Sequence, residues 1–191
     1  NELKNHEDWS DFYIKMLYWE MELEGLDDLA MLEIFQNQMK EANRLFAKYV
    51  QNHYQDWIVK QSGPLMSHQI LKKKLFPILK NESIKTTLML VIDNLRFDQW
   101  KIIAPIIENH YQKEEEISYF SILPTATQYA RNAIFSGMMP LEMQINHSEL
   151  WVDENEKVGK NLNEEAFLKS QLQRNGMNCQ FNYSKITNLK A

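Results

Sequence analysis

A largely apolar run at residues 86–92 (TTLMLVI), which ends directly before Asp93, constrains the fold more than any other feature of the sequence. Such runs, with β-branched members, are typical of a strand covered on both faces of a parallel sheet. A second strand is predicted at 117–123, followed by Pro124 and a helix that contains Thr127. Because ligands gather at the carboxyl ends of such strands, we expect Asp93 and Thr127 on neighbouring strand ends, where a carboxylate and a hydroxyl could hold a metal ion.

The helix after Pro124 has a recognisable start. Residues 125–128 (TATQ) fit a capping box, with Thr125 as N-cap and Gln128 reaching back to it. Thr127 then lies in the first turn, where the helix dipole favours an anion, and Arg131 follows one turn later on the same face. Gly137 is predicted to end the helix. The spacing is equally compatible with an ordinary capped helix whose Thr127 faces solvent.

Two segments carry a family resemblance. Residues 123–137 (LPTATQYARNAIFSG) resemble the nucleophile segment of the alkaline phosphatase superfamily, and residues 91–100 (VIDNLRFDQW) resemble its first metal-binding strand end. Together they look most like a PglZ domain. With the helical stretch before them, they are similar to PorX-type response regulators, in which a receiver domain, a helical linker and a PglZ domain follow in order. The resemblance covers residues 88–143 well.

The resemblance implies a fold and domain division. We expect an all-α bundle or linker at 1–82 and the first part of an α/β, alkaline-phosphatase-like domain at 83–191. A sensor kinase would act through a receiver domain, and PorX-type proteins are associated with control of type IX secretion.

The resemblance also implies chemistry. Asp93 would bind a metal ion, Thr127 would be both nucleophile and metal ligand, and Arg131 and Arg96 would contact phosphate. The implied activity is a metal-dependent phosphoesterase, most simply a phosphodiesterase, acting through a phospho-threonine. The implied cofactor is zinc, with two ions in the complete protein, and the implied substrate is a phosphate ester such as an oligonucleotide or cyclic nucleotide.

The sequence departs from the superfamily pattern at its end. A complete site needs an Asp with a nearby His, an Asp-His pair and a further His, and none of these follows Asp153. We therefore expect that the chain is a fragment, and that this fragment alone is inactive.

Composition excludes several classes of protein. The formal charge of −5 gives no general attraction to nucleic acid or to anionic membranes. The single cysteine, Cys179, fits a reducing, cytoplasmic compartment. No apolar run reaches transmembrane length, so no membrane insertion is expected.

The first eighty residues have helical spacing. One helix is predicted at 9–24 with Gly25 as its end, and a second from Asp27 or Asp28 to about Gln61. A third begins at Ser67 as N-cap and ends or bends at Pro77. We predict that residues 9–80 are predominantly helical without a sheet, and the long second helix suits a homodimerising bundle.

Two further helices are predicted. Asp98 is expected to cap a helix that Pro105 kinks or divides, while Arg96 either contacts an anion or pairs with Asp98 or Glu108. Asn163 is expected to cap a helix at 164–174 that is closed by Gly176, in a region that could form a lid over the site.

Two rival functions remain open. The first is a non-catalytic signalling or dimerisation module with a vestigial site, which the amphipathic helices suit equally well. The second is a relative of the sulfatases or phosphomutases, because the superfamily shares its nucleophile chemistry.

Overall fold

The computed structural model describes residues 3–25, 28–60, 62–152, 159 and 161–186. The helices in these ranges are α1 His6–Glu24, α2 Leu29–Val59, α3 Phe76–Leu79, α4 Phe97–Glu108, α5 Thr127–Ser136, α6 Pro140–Asn146 and α7 Glu164–Arg174. A 3-10 turn, Ser67–Gln69, and a π turn, Leu71–Leu75, lie between α2 and α3.

The chain forms two compact units. The first unit comprises Asn1–Pro64 and Leu90–Ser118, and the second comprises Leu65–Met89 and Tyr119–Ala191. Within the described ranges, no helix combines the length and apolar composition needed to cross a bilayer.

The first two helices begin and end at the predicted signals. Gly25 is the C-cap of α1. The Asp28 carboxylate accepts hydrogen bonds from the backbone N–H groups of Ala30 and Met31, each at 3.1 Å, and so caps α2. With 31 residues, α2 is about 46 Å long. It ends at Val59, and Gln61 lies outside the described residues.

Aromatic side chains pack along α1 and α2. Trp9 contacts Phe46 with ring centroids 5.2 Å apart. The row continues along α2 through Tyr49, His53 and Trp57, with centroid separations of 4.4 Å and 6.2 Å for its last two steps. A neighbouring apolar core is formed by Met16, Leu23 and Phe35, with Phe12, Leu32 and Met39 against it. These contacts bury the apolar stripes that predicted the helices, and the prediction of a helical region without a sheet at 9–80 is confirmed for the described residues.

The segment 67–79 is helical but not a single α-helix. The N–H of Phe76 donates to the carbonyl of Leu71, five residues back, and so closes a π turn before Pro77. Pro77 has no N–H for the usual α-helical bond, which favours a change of hydrogen-bond spacing at this point. The predicted third helix is therefore divided among a 3-10 turn, a π turn and one α-helical turn.

Helix α4 begins earlier than predicted. Its N-cap is Arg96, whose N–H donates to the Gln99 side chain at 3.0 Å. The prediction that Asp98 caps this helix is wrong, because Asp98 lies inside the first turn, where its carboxylate accepts from Arg96 Nε at 3.1 Å. This hydrogen bond lowers the pKa of Asp98. The alternative ion pair of Arg96 is thus confirmed, and α4 continues through Pro105 without division.

The run that predicted a buried strand forms neither a helix nor a β ladder in the described chain. Residues 84–92 form no ladder, and Leu88 and Leu90 are 78% and 74% exposed. The β pairing among the described residues is a single parallel bridge between Met66 and Phe120. A buried strand needs neighbours that satisfy its backbone N–H and C=O groups. The sheet of the expected α/β domain therefore remains a prediction.

The second unit packs α5 and the segment 67–79 around α7. Leu71, Phe76 and Leu172 form its core, against which Leu168, Ile134 and Met177 pack. Phe167 of α7 is also fully buried. Phe167, Leu168 and Leu172 thus form the inward face of α7.

Two glycines end helices in this unit. Gly137 ends α5 with φ of 66°, and Gly176 follows α7 with φ of 68°. At the end of α7 the N–H of Gly176 donates to the carbonyl of Gln173, and the N–H of Met177 donates to the carbonyl of Leu172. This is the arrangement of a Schellman motif.

Substitution of these glycines by alanine tests how α5 and α7 pack. Positive φ costs about 1 kcal/mol at either position. A Cβ on Gly137 would lie 2.2 Å from the terminal amide of Gln171, whereas a Cβ on Gly176 would meet no atom within 4 Å. We expect Gly137→Ala to lower the free energy of unfolding by about 1 to 3 kcal/mol more than Gly176→Ala, measured by urea denaturation. Equal losses would show that Gln171 moves aside freely.

Candidate functional site

Helix α5 places Thr127 at its first position. The N-cap is Ala126, which makes no side-chain cap hydrogen bond, and the amides of Tyr129 and Ala130 donate to its carbonyl at 2.9 and 3.0 Å. The prediction that Thr125 is the N-cap is wrong, since the helix starts one residue later and Gln128 falls out of capping register. Thr127 is exposed where the helix dipole favours negative charge.

A buried hydrogen bond holds the chain that leads into α5. The N–H of Ile122 donates to the Ser67 hydroxyl at 3.2 Å, and both residues are fully buried. Two residues earlier, the N–H of Phe120 donates to the carbonyl of Leu65 at 2.8 Å. The prediction that Ser67 caps a helix is therefore wrong, because its hydroxyl binds a backbone amide 55 residues away.

Arg131 lies one turn after Thr127 on α5 and is nearly buried. Its Nε lies 2.5 Å from Oε1 of Glu164, and its Nη2 donates to Oε2 at 2.8 Å. Glu164 is the first residue of α7 and has no exposed surface. Only the Nη2 contact is aligned as a hydrogen bond, and each charge compensates the other in the interior.

Two further donors complete the surroundings of Glu164. The Tyr183 hydroxyl donates to Oε2 at 2.5 Å, and Lys185 Nζ lies 3.4 Å from the same oxygen. Burial, together with this carboxylate, raises the pKa of Tyr183 to about 12. Arg131, Glu164, Tyr183 and Lys185 are called the Glu164 cluster below.

The last turn of α5 is also bound by α7. The Arg174 guanidinium donates to the carbonyl of Ser136. In the amide orientation that satisfies its neighbours, the nitrogen of Gln171 donates to the carbonyls of Phe135 at 2.8 Å and Ile134 at 3.1 Å. These bonds satisfy carbonyls that the last turn of a helix leaves without intrahelical partners. Helix α7 is therefore attached to the middle and to the last turn of α5.

Asp93 and Arg96 belong to the first unit, whereas Thr127 and Arg131 belong to the second. Asp93 is exposed in a turn before α4, and Asn94 beside it has φ of 58°. Arg96 is engaged with Asp98. The structure thus places Thr127 and Arg131 on one helix, and the approach of the Thr127 hydroxyl to the Asp93 carboxylate remains a prediction.

Sequence reasoning missed the Glu164 cluster. Glu164 was assigned only to the first turn of a helix, where an acidic residue is ordinary because of the helix dipole. Glu164 is separated in sequence by 33 residues from Arg131 and by 19 residues from Tyr183, so local spacing does not predict these contacts.

The expected metal has a partial donor set. A carboxylate from Asp93 and a hydroxyl from Thr127 are oxygen ligands of suitable chemistry. Among the described residues, however, no group of three or more His, Cys, Asp or Glu side chains could hold an ion. These residues alone do not fit a zinc site.

Comparison with protein families gives two matches. The model of the BREX system PglZ alkaline phosphatase-like domain matches residues 70–191, and that of the PorX response regulator linker domain matches residues 1–58. No curated protein matches the chain. The predicted combination of a PorX-type linker with a PglZ domain is confirmed.

The raised pKa of Tyr183 predicts a pH-dependent contribution to stability. A folded-state pKa near 12, against an ordinary value of 10.0, means that this contribution is complete below about pH 10 and lost as the pH rises to about 12. Tyr183→Phe should lower the free energy of unfolding by about 1.5 to 3 kcal/mol at pH 8, because a hydrogen bond to a carboxylate is lost. Urea denaturation at pH 8 and pH 11 should show the difference between wild type and variant shrinking. Tyr111→Phe, at an exposed position, is the control, and a difference that grows with pH would contradict the assignment.

Proposed function

The chain belongs to the PglZ alkaline phosphatase-like family, and from this membership we propose that it is the effector region of a response regulator with a phosphoesterase site. In this proposal residues 1–82 are the helical linker and residues 83–191 are the first part of the α/β PglZ domain. The substrate is a phosphodiester, such as an oligonucleotide or cyclic nucleotide.

One observation carries the proposal: Thr127 begins α5 and Arg131 follows it by one turn, inside the segment that resembles the superfamily's nucleophile motif. A hydroxyl at the first helical position lies beside the backbone N–H groups of the first turn, where a phosphate group is favoured. Arg131 supplies a guanidinium on the same helix. This arrangement supports Thr127 as the nucleophile.

The proposed reaction has two displacements. The Thr127 oxygen forms a bond to phosphorus as the bond to the leaving ester oxygen breaks, and the hydroxyl proton passes to solvent or to the leaving group. Water then attacks the phospho-threonine, which releases the phosphoryl product and restores the hydroxyl. Arg131, with Arg96 as a further candidate, stabilises charge on the non-bridging oxygens.

We also propose dependence on a metal, as is typical of alkaline phosphatase-like proteins. Zinc is the proposed ion, two in the complete site, with Asp93 and Thr127 among its ligands. Further ligands are required, because the described residues contain no complete set. No step above is assigned to the metal for that reason.

The linker is proposed to form a homodimer. Tyr18 and Trp19 on α1 are 62% and 57% exposed. Large exposed apolar side chains of this kind suit a partner helix. A receiver domain addressed by a sensor kinase would act through this region, in the cytoplasm, on control of type IX secretion.

The rival function is a non-catalytic signalling module with a vestigial site. The same exposed residues of α1 would serve it. Zinc content separates the two functions, since a vestigial site would not retain a stoichiometric ion. A sulfatase or phosphomutase activity is separated by assay on sulfate esters and phosphosugars.

Thr127→Ala in the complete protein should abolish hydrolysis of bis(p-nitrophenyl) phosphate, because the variant has no nucleophile. Thr125→Ala, two residues away, should keep activity and stability, since Thr125 does not cap α5. The rate of p-nitrophenol release and the thermal midpoint measure the two effects. Activity that survives in Thr127→Ala, but not in Thr125→Ala, would reverse the assignment.

Phosphorylation of the receiver domain should change the association of the linker. We expect sedimentation velocity of the complete protein to show more dimer with a phosphoryl mimic than without it. Trp19→Glu should reduce the dimer fraction by placing a charge on the exposed face of α1. A monomer under both conditions would refute this mode of coupling.

A further inference from the structure

The Glu164 cluster joins three segments of the second unit at one buried carboxylate. Glu164 accepts from Arg131 of α5 and from Tyr183 after α7, and its Oε2 lies 3.4 Å from Lys185 Nζ. The Glu164 side chain has no exposed surface. The exposed fraction of the side chain is 15% for Arg131 and 30% for Lys185. The carboxylate is thus the interior point on which the cationic groups converge.

We infer that Glu164 is a positioning residue: its carboxylate fixes the Arg131 guanidinium on α5, so that the charge facing the phosphoryl group is held in one orientation. The inference rests on the proposed function, since it names the residue that orients a group of the same site. Glu164 itself touches no substrate.

The geometry favours orientation over simple charge neutralisation. Nη2 of the planar guanidinium donates to Oε2 at 2.8 Å, and Nε lies 2.5 Å from Oε1 in an approach that is not aligned as a hydrogen bond. A single contact would leave the guanidinium free to rotate, whereas the second close approach limits that rotation. Because Tyr183 also binds the carboxylate, Glu164 is itself held in place.

The charge balance is compatible with binding an anion. Arg131 and Lys185 carry two positive charges and Glu164 one negative charge, while Tyr183 is neutral at pH 7. Among these four side chains, the positive charges therefore outnumber the negative charge by one.

The test is a double-mutant cycle on kcat in the complete protein, with bis(p-nitrophenyl) phosphate as substrate and added zinc. Glu164→Gln keeps the size of the side chain but removes its charge and one acceptor. We expect kcat to fall about 10- to 100-fold while KM changes less than about threefold, because Arg131 acts on charge that develops in the transition state. In an Arg131→Met background, the same substitution should change kcat less than about twofold, since its effect passes through Arg131.

Two conservative variants guard against loss of folding. Glu164→Asp keeps the charge but withdraws it by one methylene, and Tyr183→Phe keeps the ion pair but removes one donor to it. Each should lower kcat about two- to tenfold, with a circular dichroism spectrum like that of wild type. Glu116→Gln is the matched control, because Glu116 accepts from Lys101 at 2.8 Å in the first unit and should leave kcat unchanged.

The outcomes separate the inference from its premise. If the wild type turns over substrate and folded Glu164→Gln has the same kcat, the positioning role alone is overturned. It is also overturned if the kcat of the double variant falls by the product of the two single losses. If Glu164→Gln does not fold, unchanged kcat in both Glu164→Asp and Tyr183→Phe overturns it. Absence of wild-type turnover with zinc overturns the proposed function, and the positioning role with it.

Discussion

The buried ion pair between Arg131 and Glu164 joins the two helices on which the second unit depends. Glu164 alone at this depth would be an uncompensated charge, with a cost of several kcal/mol. Tyr183 brings the segment after α7 to the same carboxylate. One acidic side chain thus determines where α5, α7 and the chain beyond α7 meet, and loss of a partner would leave the remaining charge unsatisfied.

The last turn of α5 is held by different chemistry. There the carbonyls of the last turn accept from Gln171 and Arg174, and Gly137 lets the Gln171 amide approach the backbone closely. A helix attached at its middle and at its last turn has little freedom to tilt or slide. If Thr127 is the nucleophile, as proposed, this restraint of α5 would contribute to its preorganisation.

The features predictable from sequence are those that a few neighbouring residues determine. Gly137 was predicted correctly, and Asp28 was one of two predicted caps, since capping and positive φ depend on local geometry. The predictions that Thr125 and Ser67 cap helices are wrong. A hydroxyl can bond to many different groups, and tertiary contacts determine which of these bonds forms. Glu164 carried no signal, as its partners are distant in sequence. The pairing of the run 86–92 likewise depends on neighbouring strands and not on its own composition.

The π turn at Leu71–Leu75 has a consequence for which side chains the second unit can bury. In an α-helix of 3.6 residues per turn, residues five apart lie on largely opposite sides. The wider turn brings Leu71 and Phe76 to the same side, and both enter one core with Leu172. Between them, Lys72 and Lys73 are exposed and Lys74 is half-buried. A single extra residue in one turn thus lets two side chains five positions apart enter one core, whereas a regular helix would place them on different sides.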